Sequence, residues 1–104
     1  MFFSFIETHL FARLRERYLA DDDYASLQAA LIESPEHGAL VPGSGGVRKL
    51  RWSQPGRGKR GGVRVIYYVK GHEGLIWMLT IYAKNQEQTI PPHMLRKIKG
   101  EIDG

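Results

Sequence analysis

The chain contains no cysteine. Disulfides, thiolate nucleophiles and cysteine-ligated zinc are therefore excluded, and the composition suits a reducing compartment. A second absence is local: no Asp or Glu occurs from His37 to His72. Without paired carboxylates there, two-metal phosphodiester chemistry is not expected in this stretch. The histidines at positions 9, 37, 72 and 93 lack metal-ligand spacing, so no metal is expected at them. Nor does any apolar run approach the roughly 20 residues that span a bilayer. The opening MFFSFI has no basic segment ahead of it, and Glu7 and His9 interrupt it before the apolar centre of a signal peptide would be complete. The expected location is the cytoplasm.

Two phosphate-loop signatures are also missing. Gly58-Lys59 is followed by Arg60 rather than Ser or Thr, and GSGGVR lacks the third glycine of a dinucleotide fingerprint. Neither ATP nor NAD binding follows, and no cofactor is expected.

The 104 residues, 42% of them apolar, suffice for one domain spanning 1–104 around a single core. The net charge of +4 is moderate but unevenly spread. Between Gly43 and Arg64 the sequence GSGGVRKLRWSQPGRGKRGGVR holds seven Lys or Arg, seven Gly and no carboxylate. Cations at this density attract a polyanion, and glycines let backbone N–H groups come close to phosphates. Nucleic acid is the partner this composition fits best.

Hydrophobic periodicity divides the chain. Phe2 to Ile6 reads as a short strand. In ETHLFARLRERYL, Leu10, Leu14 and Tyr18 recur at helical spacing, with Arg13, Glu16 and Arg17 off the stripe. Asp21, Asp22 and Asp23 supply an N-cap and first-turn negative charge for a second helix with the stripe Tyr24, Leu27, Leu31 and Ile32. Ser34-Pro35-Glu36-His37-Gly38 stops it, since proline disfavours helical geometry in the preceding residue. Val47 to Trp52, Val63 to Val69 and Leu75 to Tyr82 then read as sequential strands of an antiparallel meander. The tail PPHMLRKIKGEIDG opens with prolines suited to a helix start and carries Met94 or Leu95, Ile98 and Ile102 as its stripe. The expected fold class is α+β: a small antiparallel sheet of about four strands, mixed at its edge, with two N-terminal helices on one face and a C-terminal helix.

Residues two apart in a strand share a face. Strict alternation puts Leu75, Trp77, Leu79 and Ile81 against the two helices, and Ile76, Met78, Thr80, Tyr82 and Lys84 on the other side. Lys49 pairs in facing with Arg51, and Arg64 with Ile66 and Tyr68. If these sets coincide, one face gathers Lys49, Arg51, Arg64, Tyr82 and Lys84. The C-terminal helix would cover Ile66, Ile76 and Met78 and leave the basic end open.

Metal-free cleavage of RNA needs a deprotonated 2′-hydroxyl, in-line geometry, stabilisation of the phosphorane and a protonated 5′-oxygen. Arg64, Lys84 and Tyr82 are chemically adequate, since Arg stabilises charge at any accessible pH and Lys or Tyr among cations can exchange protons. Arg48, Arg57, Lys59 and Arg60 would contact RNA phosphates. Trp52 and Tyr68 would stack on bases, whereas core packing is the weightier reading for Tyr67.

The succession GSGGVRKLRW, GRGKRGGVRVIYY and a strand ending LTIYAKN, behind two helices, closely resembles the RelE/ParE toxin superfamily. Within it, the pattern is most similar to HigB-type toxins carrying G-x-GG-x-RK-x-R, GKGKRGG-x-R-x-IYY and IY-G/A-KN. The likeness runs from the first helix to the C-terminus. It implies a toxin of a type II toxin–antitoxin pair that enters the ribosomal A site and cleaves mRNA. The implied partners are the ribosome, mRNA and a helix-turn-helix, HigA-like antitoxin. The strand arginine of R-x-IYY corresponds to Arg64, RK-x-R supplies Lys49 and Arg51, IYAKN supplies Tyr82 and Lys84, and Lys59 with Arg60 would meet RNA backbone. Asn85 stands where several RelE-type enzymes have arginine, and the C-terminal segment has no tyrosine where they carry a functional one, so proton transfer falls to Tyr82 or a lysine. ParE-like members of the superfamily inhibit DNA gyrase instead, and a non-catalytic nucleic-acid-binding module is the further alternative.

Overall fold

The computed structural model describes residues 2–53, 62–84, 86 and 90–104. The elements run β1 (Ser4–Glu7), α1 (His9–Tyr18), α2 (Asp21–Glu33), β2 (Ala39–Leu40), β3 (Arg48–Trp52), β4 (Val63–Lys70), β5 (Leu75–Ala83) and α3 (Pro92–Asp103). The α+β expectation holds, with five strands rather than four, in the order β1-β5-β4-β3-β2. β2 to β5 pair antiparallel, while β1 runs parallel to β5, which gives the mixed edge.

The helices start for identifiable reasons. Thr8 caps α1 by accepting the Phe11 N–H at 3.0 Å and donates its own hydroxyl to the Leu79 carbonyl at 2.8 Å. One short side chain thus closes a helix end and satisfies a strand carbonyl. The cap of α2 is Ala20, without a side-chain bond, so the three aspartates contribute first-turn charge rather than the cap itself. Arg15 reaches Asp21 at 2.8 Å and joins α1 to α2. Pro91 and Pro92 open α3, where a missing N–H costs nothing.

The sheet carries a core on each side. Toward α1 and α2, Phe11, Leu27 and Leu31 meet Leu50, Val63, Val65, Tyr67, Ile76, Met78 and Ile81. Toward α3, Leu95 meets Val47, Ile66 and Leu79, with Tyr68, Trp77, Tyr82, Ile98 and Ile102 packed around them. On α1 the fully buried residue is Phe11, next to the expected Leu10 position. On α2, Ile32 is 43% exposed and falls outside the stripe.

The largest departure from simple alternation lies in β5. Ile66 pairs with Thr80 and Tyr67 with Met78, so Leu79 is an extra residue opposite one position of β4. Such a bulge moves every earlier side chain to the opposite face. Trp77 and Leu79 therefore pack toward α3, and Ile76 and Met78 toward α1 and α2, the reverse of the expectation. α3 covers Ile66 as expected, but not Ile76 or Met78.

Candidate functional site

Beyond the bulge the strands are in strict register. Arg51 is opposite Arg64, Arg64 is opposite Tyr82, and one step along Lys49 is opposite Ile66 and Ile66 opposite Thr80. Directly opposed residues share a sheet face. Arg51, Arg64 and Tyr82 thus form a row across three adjacent strands on the α3 side, with Lys49 beside it. Two arginines facing each other on neighbouring strands repel, an arrangement that weakens a sheet unless an anion lies over it.

Lys84 extends the row. Its backbone N–H donates to the Gly62 carbonyl at 3.3 Å, continuing the β4–β5 ladder one step past Ala83. Gly62 sits at φ 59°, and a Cβ there would run into the Trp52 carbonyl, so only glycine fits at this approach of three chain segments. Lys49, Arg51 and Lys84 are exposed, whereas Arg64 and Tyr82 are half-buried.

Burial pushes the Tyr82 phenol above its ordinary range, and Arg64 pulls it partly back. Desolvation thus outweighs the neighbouring cation at Tyr82 and favours the neutral phenol. The described residues bring no three His, Asp or Glu side chains together in a metal-holding group, and none of their helices is long and apolar enough to cross a membrane.

Other sequence candidates lie elsewhere. Arg48 and Trp52 alternate with Lys49 and Arg51 and fall on the α1/α2 side. Arg48 donates to the Gly38 carbonyl at 2.8 Å and ties down the loop after α2. Trp52 packs against the core under α1 and α2, its Nε1 buried without a hydrogen-bond partner among the described residues. Tyr68 shares the α3 face, but its hydroxyl donates to Asp103 at 2.9 Å and Lys99 lies 5.8 Å over its ring. Burial, followed by Asp103, pushes this phenol up to about 12. Tyr67 is fully buried, accepting from the Gly38 N–H and donating to the Pro35 carbonyl, each at 2.8 Å. Arg57, Lys59, Arg60 and Asn85 lie outside the described residues.

Sequence reasoning missed a contact beside Lys84. The Tyr18 hydroxyl donates to Gln86 Oε1 at 2.8 Å. No local pattern announces a pairing across 68 positions, and helical spacing assigns Tyr18 to packing alone.

No protein-family model matches the chain. Solved structures do. A double arginine-to-alanine mutant of E. coli toxin RelE in the free state superposes with a TM-score of 0.55 at 18% identity, over 82% of this chain and 86% of that one. A chain of the intact E. coli RelBE toxin–antitoxin complex gives 0.58 at 14%, over 83% and 100%. The same RelE mutant bound to an antitoxin RelBc peptide gives 0.56 at 16%, over 98% and 95%. At these identities the comparison speaks to architecture, and in architecture this chain has the RelE-like toxin fold.

Proposed function

We propose that this protein is the toxin of a type II toxin–antitoxin pair, of the HigB type, and that it cleaves translated mRNA in the ribosomal A site without a metal. The observation that carries the reading is the Arg51, Arg64 and Tyr82 row, in register across three strands and flanked by Lys49 and Lys84. Its support is the RelE-like architecture together with the acid-free strands that carry the row.

Each side chain has a distinct task. Arg51 and Arg64, opposite each other on neighbouring strands, hold one phosphate and take up the extra charge as the 2′-oxygen attacks phosphorus. Tyr82, held neutral by burial, protonates the departing 5′-oxygen. A lysine amine, from Lys49 or Lys84, accepts the 2′-hydroxyl proton. The products are a 2′,3′-cyclic phosphate and a 5′-hydroxyl. Arg57, Lys59 and Arg60 add phosphate contacts along ribosomal or messenger RNA. The antitoxin is a HigA-like protein presenting an acidic segment to the basic face.

The test is primer extension on mRNA from a purified translation reaction, with and without ribosomes. Cuts are expected only with ribosomes, and Arg64→Ala is expected to reduce them at least about a hundredfold without loss of folding. Undiminished cutting by that variant would remove Arg64 from the mechanism. Cleaved plasmid DNA in place of truncated mRNA would point to gyrase inhibition.

A further inference from the structure

Lys84 is exposed and lies one residue beyond the last residue of β5, where a strand end frays unless something holds it. The structure contains such a hold. Gln86 Oε1 accepts the Tyr18 hydroxyl at 2.8 Å and the Ala83 N–H at 3.3 Å, and the Gln86 N–H returns to the Ala83 carbonyl at 3.0 Å. Ala83 and Gln86, which flank Lys84 in the sequence, are therefore bonded to each other, and Gln86 is tethered to the last residue of α1. The Tyr18 ring is packed against the core under α1 and α2, so its hydroxyl is a fixed point. On the opposite side, the Lys84 N–H is held by the Gly62 carbonyl.

We infer that Tyr18 and Gln86 are positioning residues that aim Lys84 at the scissile phosphate, an inference that rests on the endoribonuclease reading above. The chain of constraint runs from core to ring, ring to hydroxyl, hydroxyl to carboxamide, and carboxamide to Ala83, the residue before Lys84. It is built from a donor and an acceptor whose separate identities matter. Phenylalanine at position 18 keeps the packing and removes the donor; leucine at position 86 keeps the bulk and removes the acceptor. A reacting group displaced by about an ångström loses one to two orders of magnitude in rate.

The test is a double-mutant cycle on ribosome-dependent cleavage, with amide exchange alongside. Tyr18→Phe lowers kcat about tenfold with KM little changed, and Gln86→Leu does the same. In a Lys84→Ala background either substitution changes the rate by less than about twofold, because the group they aim is gone. Equal losses in both backgrounds, or no loss in either, overturn the inference. Hydrogen exchange separates this from a failure of the functional reading. Tyr18→Phe accelerates exchange at the Ala83 and Lys84 amides and leaves Phe11 and Ala12 protected. Unchanged exchange at Ala83 and Lys84 overturns the clamp whatever the activity. Absence of cleavage by the unsubstituted protein refutes the endoribonuclease reading, and faster exchange in Tyr18→Phe would still support the clamp.

Discussion

The two faces of the sheet are built from the same three strands by opposite rules. On the α1/α2 face, the strand residues are apolar and closed over, and Tyr67 and Arg48 have backbone partners supplied by the loop after α2. On the α3 face, apolar packing occupies one end around Ile66, Leu79 and Leu95. The other end presents Lys49, Arg51 and Lys84, which have no carboxylate partner among the described residues. Where a cation of this face does meet acids, Lys70 pairs with Glu73 at 3.0 Å and with Asp103 of α3 at 3.8 Å, and the second contact joins β4 to α3. The difference teaches that one face is closed by apolar packing along its length, whereas the other is closed at one end only and keeps Lys49, Arg51 and Lys84 available for an anion.

Substitutions that separate stability from activity sharpen this comparison. The largest effect on folding is expected from Phe11→Ala, about 4 kcal/mol from lost burial and a residual cavity. Chemical denaturation would measure it, and cleavage per folded molecule should persist. A loss below about 1 kcal/mol would mean that the α1/α2 face collapses around the gap. Next comes Tyr82→Phe on the other face, expected to slow cleavage about a hundredfold while costing less stability than Phe11→Ala. Because burial raises the Tyr82 phenol, the acid form persists throughout the neutral range, and activity should fall only at alkaline pH, above the ordinary tyrosine value. A pH–rate profile falling between pH 6 and about 8 would assign the proton donor elsewhere.

Tyr67→Phe is smaller, expected to cost about 2 kcal/mol because the Gly38 N–H and Pro35 carbonyl lose their partner. Burial raises this phenol too, so its stabilisation is complete below the ordinary tyrosine value near 10 and is lost as pH rises through the folded-state value. Tyr67→Phe should therefore flatten part of the alkaline limb of a stability–pH curve. The smallest effect belongs to Asp103→Asn, at the exposed end of α3. Lys99 first, and then Tyr68, hold that carboxyl below its ordinary range, so its contribution is present above that range and disappears as pH falls. The variant should lower the melting temperature less than Tyr67→Phe does, and added salt should shrink the difference.

Much of this was legible because local physics writes it into the chain. Helical spacing identified α1, α2 and α3, and Leu27, Leu31 and Leu95 are buried as their stripes require. Facing parity placed Lys49 with Arg51 and Arg64 with Ile66, and the observed register brings them onto one face with Tyr82. Parity failed before Leu79, because a single extra residue reverses facing and no residue type announces a bulge. Parity also separates Arg48 and Trp52 from the basic row, although both lie in the same basic segment.

The sequence by itself determined the order of the three helices and of four of the five strands, most of the apolar stripes and the absence of acids beside the arginines, since these depend on residue type and short-range spacing. Tertiary structure alone decided that Arg51, Arg64 and Tyr82 are neighbours, that burial raises the Tyr82 phenol, and that Tyr18 reaches Gln86. Register, burial and contacts between distant segments arise from the packing of the whole chain, and desolvation has no value until that packing exists.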